Sequence, residues 1–410
     1  MYGSGARDDP GGGSSLARPW TSQTVRPMRG IHAMTDTTTS TGTAKAAVLN
    51  AVDTPLQIRD DITVAAPKDG EVRVKMSASG VCHSDVSVQN GTIPLATPLV
   101  LGHEGAGIIT EVGPGVTDRA VGDHVVLSWV PQCGECYFCT RDQGFLCEKN
   151  GAVAAGGLLD GTKRFSTPDG ELGQMAYCGT FSNESIVPAI STVKIPDDVP
   201  LKVAALIGCG VLTGVGAALN TASIREGDTV AVIGCGGVGL NVIQGARIAG
   251  AEKIIAVDMF DSKLEMAKEF GATDVVNAGS GDPVAAVMEL SGGRGVDVSF
   301  EVIGLGPTME QAINMARPGG EIVLVGVPRL EVMLNLNAAF TFLYTAKTIK
   351  GCWYGSANVD RDVPKLIELY QKGDLKLDEL VSREITVDEV NEAFEAMASG
   401  EVARSVIIHE

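Results

Sequence analysis

The sequence predicts an α/β protein in which a doubly wound parallel sheet accompanies a second, β-rich domain. Three observations predict it. Residues 44–127 run as short alternating apolar stretches cut by Gly and Pro, such as EVRVKMSASG and GAGIITEVGPGV, a strand-and-turn pattern that suggests a small β-rich domain or barrel. From about residue 225 apolar strands alternate with helical periodicity, which implies parallel strands joined by crossover helices. A chain of 410 residues also exceeds what one compact core supports.

The elements follow in order. Residues 1–43 are rich in Gly, Ser and Thr, with MTDTTTSTGT starting at Met34. That tract cannot bury enough apolar surface to fold, so a disordered or non-native extension is expected there. After the β-rich stretch, DTVAVIG (228–234) reads as a buried strand, 238–249 as a helix and KIIAVD (253–258) as a second strand. SKLEMAKEFGA is a helix with Gly271 as its C-terminal stop. VDVSFEVIG (296–304) and EIVLVGV (321–327) are further buried strands. Beyond about 350 come two amphipathic helices, near 362–372 and 387–398, and a short strand, SVIIH.

The chain carries 50 acidic against 32 basic side chains, a net charge of −18. So acidic a surface repels phosphate backbones and anionic membranes, which leaves small molecules as the expected partners. No stretch approaches the roughly 20 consecutive apolar residues of a membrane span, and no secretory signal is recognisable. The nine cysteines are odd in number and clustered, a pattern of metal ligands rather than disulfides, with the cytoplasm as the expected compartment.

Gly234-Cys235-Gly236-Gly237-Val238-Gly239 follows a strand and opens a helix. Gly234 permits the tight turn, Gly236 admits a pyrophosphate to the backbone, and Gly239 lets helix and strand pack closely. The helix N-terminus favours the phosphates. Asp258, 19 residues past Gly239, is placed to accept from ribose hydroxyls and repel a 2′-phosphate, hence NAD over NADP. Lys263 is placed to reach the ribose or to remain solvated, and the sequence leaves both open.

Cys133, Cys136 and Cys139, with seven residues before Cys147, can wrap one tetrahedral ion. Four sulfurs leave no position for substrate, so that zinc would be structural. Cys82, His103 and Cys209 would instead leave a fourth position open, as a catalytic zinc requires. They spread over 128 positions, and spacing alone does not separate ligands from a buried thiol or a hydrogen-bonded histidine.

GVCHSD, GHEGAG, the four-cysteine lobe, GCGVLTG, GCGGVG and GEVARSV occur in one order, and in that order and spacing residues 44–410 resemble the zinc-containing medium-chain alcohol dehydrogenases. The resemblance implies a GroES-like catalytic domain (44–210 and 351–410) interrupted by a Rossmann domain (211–350). It implies two zinc ions per chain: Cys82, His103 and Cys209 on the catalytic one, and Cys133, Cys136, Cys139 and Cys147 on the structural one. It gives Ser84 the alcohol proton, Asp85 the orienting of His103, and Glu104 an approach to the catalytic zinc. Thr213 would contact the nicotinamide, His83 and Arg404 the pyrophosphate, and Trp129 would wall the pocket and disfavour branched alcohols.

Two departures from the family pattern matter. Ser87 stands where liver-type members carry a relay histidine, so the proton must leave by another route. Gly151 replaces the arginine with which glutathione-dependent formaldehyde dehydrogenases anchor glutathione. The stretches LIGCGVLTGVGAALNTA and KGCWYGSANVDRDVPKLIELY look closer to actinobacterial alcohol and thiol-adduct enzymes. The expected activity is therefore NAD-linked interconversion of primary, including aromatic, alcohols and aldehydes. The alternatives are a mycothiol- or glutathione-adduct formaldehyde dehydrogenase and a non-catalytic zinc- and NAD-binding scaffold. Residues 152–174 read as an extra loop of the longer, dimeric members, and a homodimer through the edge of the Rossmann sheet is expected.

Overall fold

A computed structural model describes residues 41–151, 153–399 and 404–410. The extension expected over 1–43, up to residue 40, lies outside them.

Thr229–Ile233, Lys253–Asp258, Asp274–Asn277, Val296–Glu301, Ala316–Leu324 and Thr348–Gly351 form a six-stranded, wholly parallel sheet. Numbered along the chain, the spatial order is 3-2-1-4-5-6, the doubly wound order that leaves a ligand crevice where the strand order reverses. Both faces are covered: Val230 and Val232 join one apolar cluster, Ala231 and Ile233 another. Burial on both sides explains why these strands read as continuous apolar runs rather than alternating ones.

The β-rich part contains two sheets. Gly42–Leu49, Gln57–Val64, Phe165–Thr167, Gly170–Gln174 and Leu99–Val100 close into a barrel. A second, seven-stranded sheet centres on Glu71–Gly80, flanked by Glu104–Val112 and Arg404–Ile408. The segment expected to be an extra loop over 152–174 therefore contains a hairpin that completes the barrel. Phe165 and Leu172 pair across it and are buried. With only three and five residues to a strand, its alternation is too short to stand out in sequence.

Leu201–Thr221 is one helical run of 21 residues, and 83% of its most apolar window is buried in protein. By length and composition it meets the requirement for a membrane span that no stretch was expected to approach. Here it is a core helix packed on the six-stranded and the seven-stranded sheets, and residue 210 falls inside it. Its path includes two π-helical turns, Ile207–Val211 and Ala217–Thr221. The later elements are the helix Val359–Gln371, the helix Val390–Ser399 and the strand Arg404–Ile408.

Candidate active site

Cys82 caps the short helix His83–Gln89 at the end of the strand Glu71–Gly80. Asp85 in that first turn is fully buried; its Oδ2 accepts from the Cys82 amide at 2.9 Å and its Oδ1 lies 3.0 Å from His103 Nδ1. The carboxylate therefore fixes the ring of His103 and leaves Nε2 as the free nitrogen, the arrangement typical of a metal-ligating histidine. His103 Nε2 is buried with no hydrogen-bond partner among the described residues, a costly state unless something binds there. The ligand atoms of Cys82, His103, Glu104 and Cys209 all lie within 4.8 Å of one another, and all four residues are buried. Cys209 reaches them from the π-helical turn Ile207–Val211, an irregularity that recurs at functional sites. Two soft sulfurs and one imidazole suit zinc. The neighbouring Cys209 thiol, aided by the Arg404 guanidinium, holds Cys82 well below the ordinary thiol range.

Glu104 is fully buried and burial pushes its carboxyl up to about 7. Its Oε1 accepts from the Gly210 amide at 3.0 Å and lies 3.2 Å from Arg404 Nη1. Arg404 also donates to Val81 O at 3.3 Å. Its side chain fills the space where a Cβ on Gly210 or Gly237 would sit, at 1.7 and 2.2 Å from its nitrogens. One buried cation thus spans from the metal-ligand cluster to the glycine-rich turn.

Gly234 has φ +99°, and a Cβ on Gly239 would stand 1.8 Å from Gly234 O, while Gly236 has nothing within 4 Å. This is a tight turn with one face open for a phosphate. The Asp258 carboxylate accepts from the amides of Cys235 (2.8 Å), Met259 (2.8 Å) and Phe260 (3.1 Å), which pins it beside that turn. Gly237 and Val238 begin the following helix. Lys263 Nζ stands 5.0 Å from the Phe260 ring. Thr213 is half-buried, and its neighbour Gly214 packs against Val238 O, where a Cβ would stand at 2.4 Å. His83 is exposed at the first position of its helix, and Ser84, half-buried, has its Oγ 3.8 Å from Cys82 Sγ. Ser87 is half-buried.

The second cluster is local. Ligand atoms of Cys133, Cys136, Cys139 and Cys147 also lie within 4.8 Å of one another. The backbone amides of Cys139 and Glu148 hold Cys136 down at about 6, which favours the thiolate a metal needs. None of the nine cysteines is in a disulfide.

Three residues escaped the sequence reading. Trp353 and Tyr354 pack against Trp129, with ring centroids at 5.0 and 4.4 Å. Glu301, fully buried, accepts through Oε1 from the amides of Ile303 (3.0 Å) and Gly304 (2.8 Å) and from Thr308 Oγ (2.7 Å). It shapes the turn that sets Ile303 against Gly234. Trp353 and Tyr354 sit in a stretch already singled out for resemblance, but no spacing rule ties them to Trp129. The strand-terminal Glu before V-I-G was the only visible signal for Glu301.

Residues 68–197 match the family described as alcohol dehydrogenase GroES-like domain, and residues 237–372 match zinc-binding dehydrogenase. An NDMA-dependent alcohol dehydrogenase of Amycolatopsis methanolica is 40% identical over 89% of this chain and 98% of its own. A class-3 alcohol dehydrogenase of Drosophila melanogaster is 42% identical over 89% of this chain and 97% of its own. Among solved structures, the benzyl alcohol dehydrogenase of Acinetobacter calcoaceticus is similar at a TM-score of 0.85 with 33% identity, covering 90% of this chain and 100% of its own.

Proposed function

The chain belongs to the zinc-containing medium-chain alcohol dehydrogenases, and on that premise we propose that it is NAD-linked and acts on unhindered primary alcohols and aldehydes, aromatic ones included. It is an oxidoreductase that works with zinc and a nucleotide cofactor. The observation that carries the reading is the orphaned Nε2 of His103, buried among two cysteine sulfurs and a carboxylate.

Cys82, His103 and Cys209 would hold the catalytic zinc, and the four lobe cysteines a second, structural one. A zinc ion held there would supply Lewis acidity toward the alcohol oxygen, and a nicotinamide cofactor would supply the hydride acceptor. The chain's own residues position these groups. Asp85 keeps His103 in the tautomer with Nε2 facing the metal. Ser84 takes the substrate's hydroxyl proton at Oγ as it releases its own to solvent, since Ser87 cannot titrate and does not extend a relay. Asp258 accepts from the ribose hydroxyls and disfavours a 2′-phosphate. Arg404, beside Gly237, meets the pyrophosphate, with His83 on the outer side, and Thr213 lies toward the nicotinamide. Lys263 is placed to neutralise charge at the ribose end.

The reading extends to a cytoplasmic homodimer. Leu330, Met333, Phe340, Leu343 and Tyr344 are well exposed beside the sheet edge Thr348–Gly351, an apolar surface of the kind that a second copy covers.

The test is NADH formation from ethanol, hexanol, benzyl alcohol and isopropanol. It is run alongside zinc analysis, with NDMA as an alternative acceptor and with glutathione or mycothiol plus formaldehyde as separate arms. Oxidation of primary alcohols with NAD by protein holding about two zinc ions per chain supports the reading. Turnover with NDMA alone means that the nucleotide stays bound between cycles, in keeping with the name of the Amycolatopsis relative. Turnover only with thiol and formaldehyde replaces the reading with the adduct enzyme. Inactivity toward all of them, with full zinc, overturns it.

A further inference from the structure

Tyr354 is 2% exposed, and its φ of +53° is followed by +66° at Gly355 and +49° at Ser356. Non-glycine residues in the left-handed region carry about 1–3 kcal/mol of strain and persist where their surroundings over-determine them. The surroundings here are specific. The Tyr354 hydroxyl donates to Gly208 O at 2.5 Å and stands 3.2 Å from Ser128 Oγ. Asn220 Nδ2 donates to Gly355 O at 3.2 Å, and the Ser356 and Thr221 hydroxyls meet at 2.8 Å. Gly208 immediately precedes Cys209, and Ser128 immediately precedes Trp129.

The turn leaves Trp353 46% exposed, with its ring edge-on to Trp129 at an interplanar angle of 85°. Trp129 Nε1 is buried and makes no hydrogen bond among the described residues, so no polar group there sets the orientation of that indole. Its orientation is set by packing, and the Tyr354 ring is the nearer of its two aromatic partners.

We propose that Tyr354 is a positioning residue for the substrate: its hydroxyl on Gly208 and its ring against Trp129 hold an edge-to-face indole pair beside the Cys209 turn, and that pair receives a flat aromatic alcohol. A planar ring completes such a pair in an offset or edge-on geometry, which an aliphatic chain cannot do. The proposal rests on the alcohol dehydrogenase reading and names the substrate class within it.

Tyr354→Phe keeps the ring and removes only the hydroxyl, leaving Gly208 O without its donor. The expected result is an increase of about five- to tenfold in KM for benzyl alcohol, with that for ethanol changed by less than about twofold. The near-ultraviolet circular dichroism of the indole pair, assigned with Trp353→Phe, should weaken in parallel. Zinc content and Tm are followed in the same samples. A purely structural role would lower Tm and affect both alcohols alike; that result, or unaltered dichroism, overturns the proposal. Should Tyr354→Phe fail to fold, Trp353→Ala removes an exposed ring, and an unchanged ratio of the two KM values overturns the proposal equally. Wild-type turnover of ethanol without benzyl alcohol overturns the aromatic class. Silence toward both alcohols removes the functional reading instead, while the dichroism still decides the role of Tyr354.

Discussion

At the scale of single residues, the site works by assigning each polar atom one task. Asp85 spends one oxygen on the Cys82 amide and the other on His103, so the helix cap and the ligand orientation are one device. Ser84 has no such structural duty; among the described residues its hydroxyl meets only the distant Cys82 sulfur. Ser84→Ala should therefore lower kcat by about 100-fold or more while the Kd for NAD stays within about twofold. Steady-state kinetics with a parallel binding titration checks this, and unaltered kcat would end its role as proton acceptor. His409 offers a test away from the site. Burial pushes its imidazole down from 6.5 to about 4, with Ser79 Oγ at 3.0 Å from its ring nitrogen. The unfolded chain binds this proton first as pH falls, so the stability is fully present above about 6.5 and is lost progressively toward about 4. The unfolding free energy from denaturant titrations should fall across that window by on the order of 1–2 kcal/mol less in His409→Gln than in wild type. The clustering of the cysteines in Cys-x-x-Cys-x-x-Cys and the glycine turn were legible in sequence because both are local. Tyr354 was not, because its partners Gly208 and Ser128 lie 146 and 226 positions away.

At the scale of elements, the helical run Leu201–Thr221 carries the heaviest constraint. A Cβ on Gly208 would stand 2.4 Å from Leu127 O, so the helix touches the strand His124–Leu127 backbone to backbone. Gly208→Ala must push them apart, at a cost of about 1–3 kcal/mol, and should also disturb Cys209, the next residue. Differential scanning calorimetry and zinc retention against a chelator would read the two effects. Loss of neither would mean that the helix accommodates the methyl by sliding. Strong strands such as Lys253–Asp258 were read to the residue, because burial on both faces leaves an unbroken apolar run. The helices Pro283–Leu290 and Gly306–Met315 and the edge strand Thr348–Gly351 went unread. The first is apolar on most of its surface, and the strand is half exposed, so neither shows a clean period.

At the scale of the whole molecule, the parallel sheet ends in an exposed edge beside a cluster of apolar side chains, and Leu343 is 75% exposed there. If two copies join across this edge, Leu343→Glu should convert the dimer to monomer with little loss of the monomer's own stability. Sedimentation velocity decides it, and a wild type that sediments as a monomer removes the expectation. The general architecture was legible because motif order survives over long distances. A barrel was legible as one option for residues 44–127 but its closure was not, since the completing hairpin comes from a segment with no periodic signal. The arrangement of Arg404 has a consequence for biogenesis. Val81, which that arginine touches, is 323 positions earlier, with the entire parallel sheet between them. A growing chain holds all six thiols of the two clusters by residue 209, yet it lacks the strand that neutralises Glu104 until nearly two hundred residues later. During that interval the clustered thiols are present without their finished enclosure, exposed to oxidants and to adventitious metals. Early metal capture, or a reducing environment during synthesis, thereby becomes a condition for the yield of active enzyme.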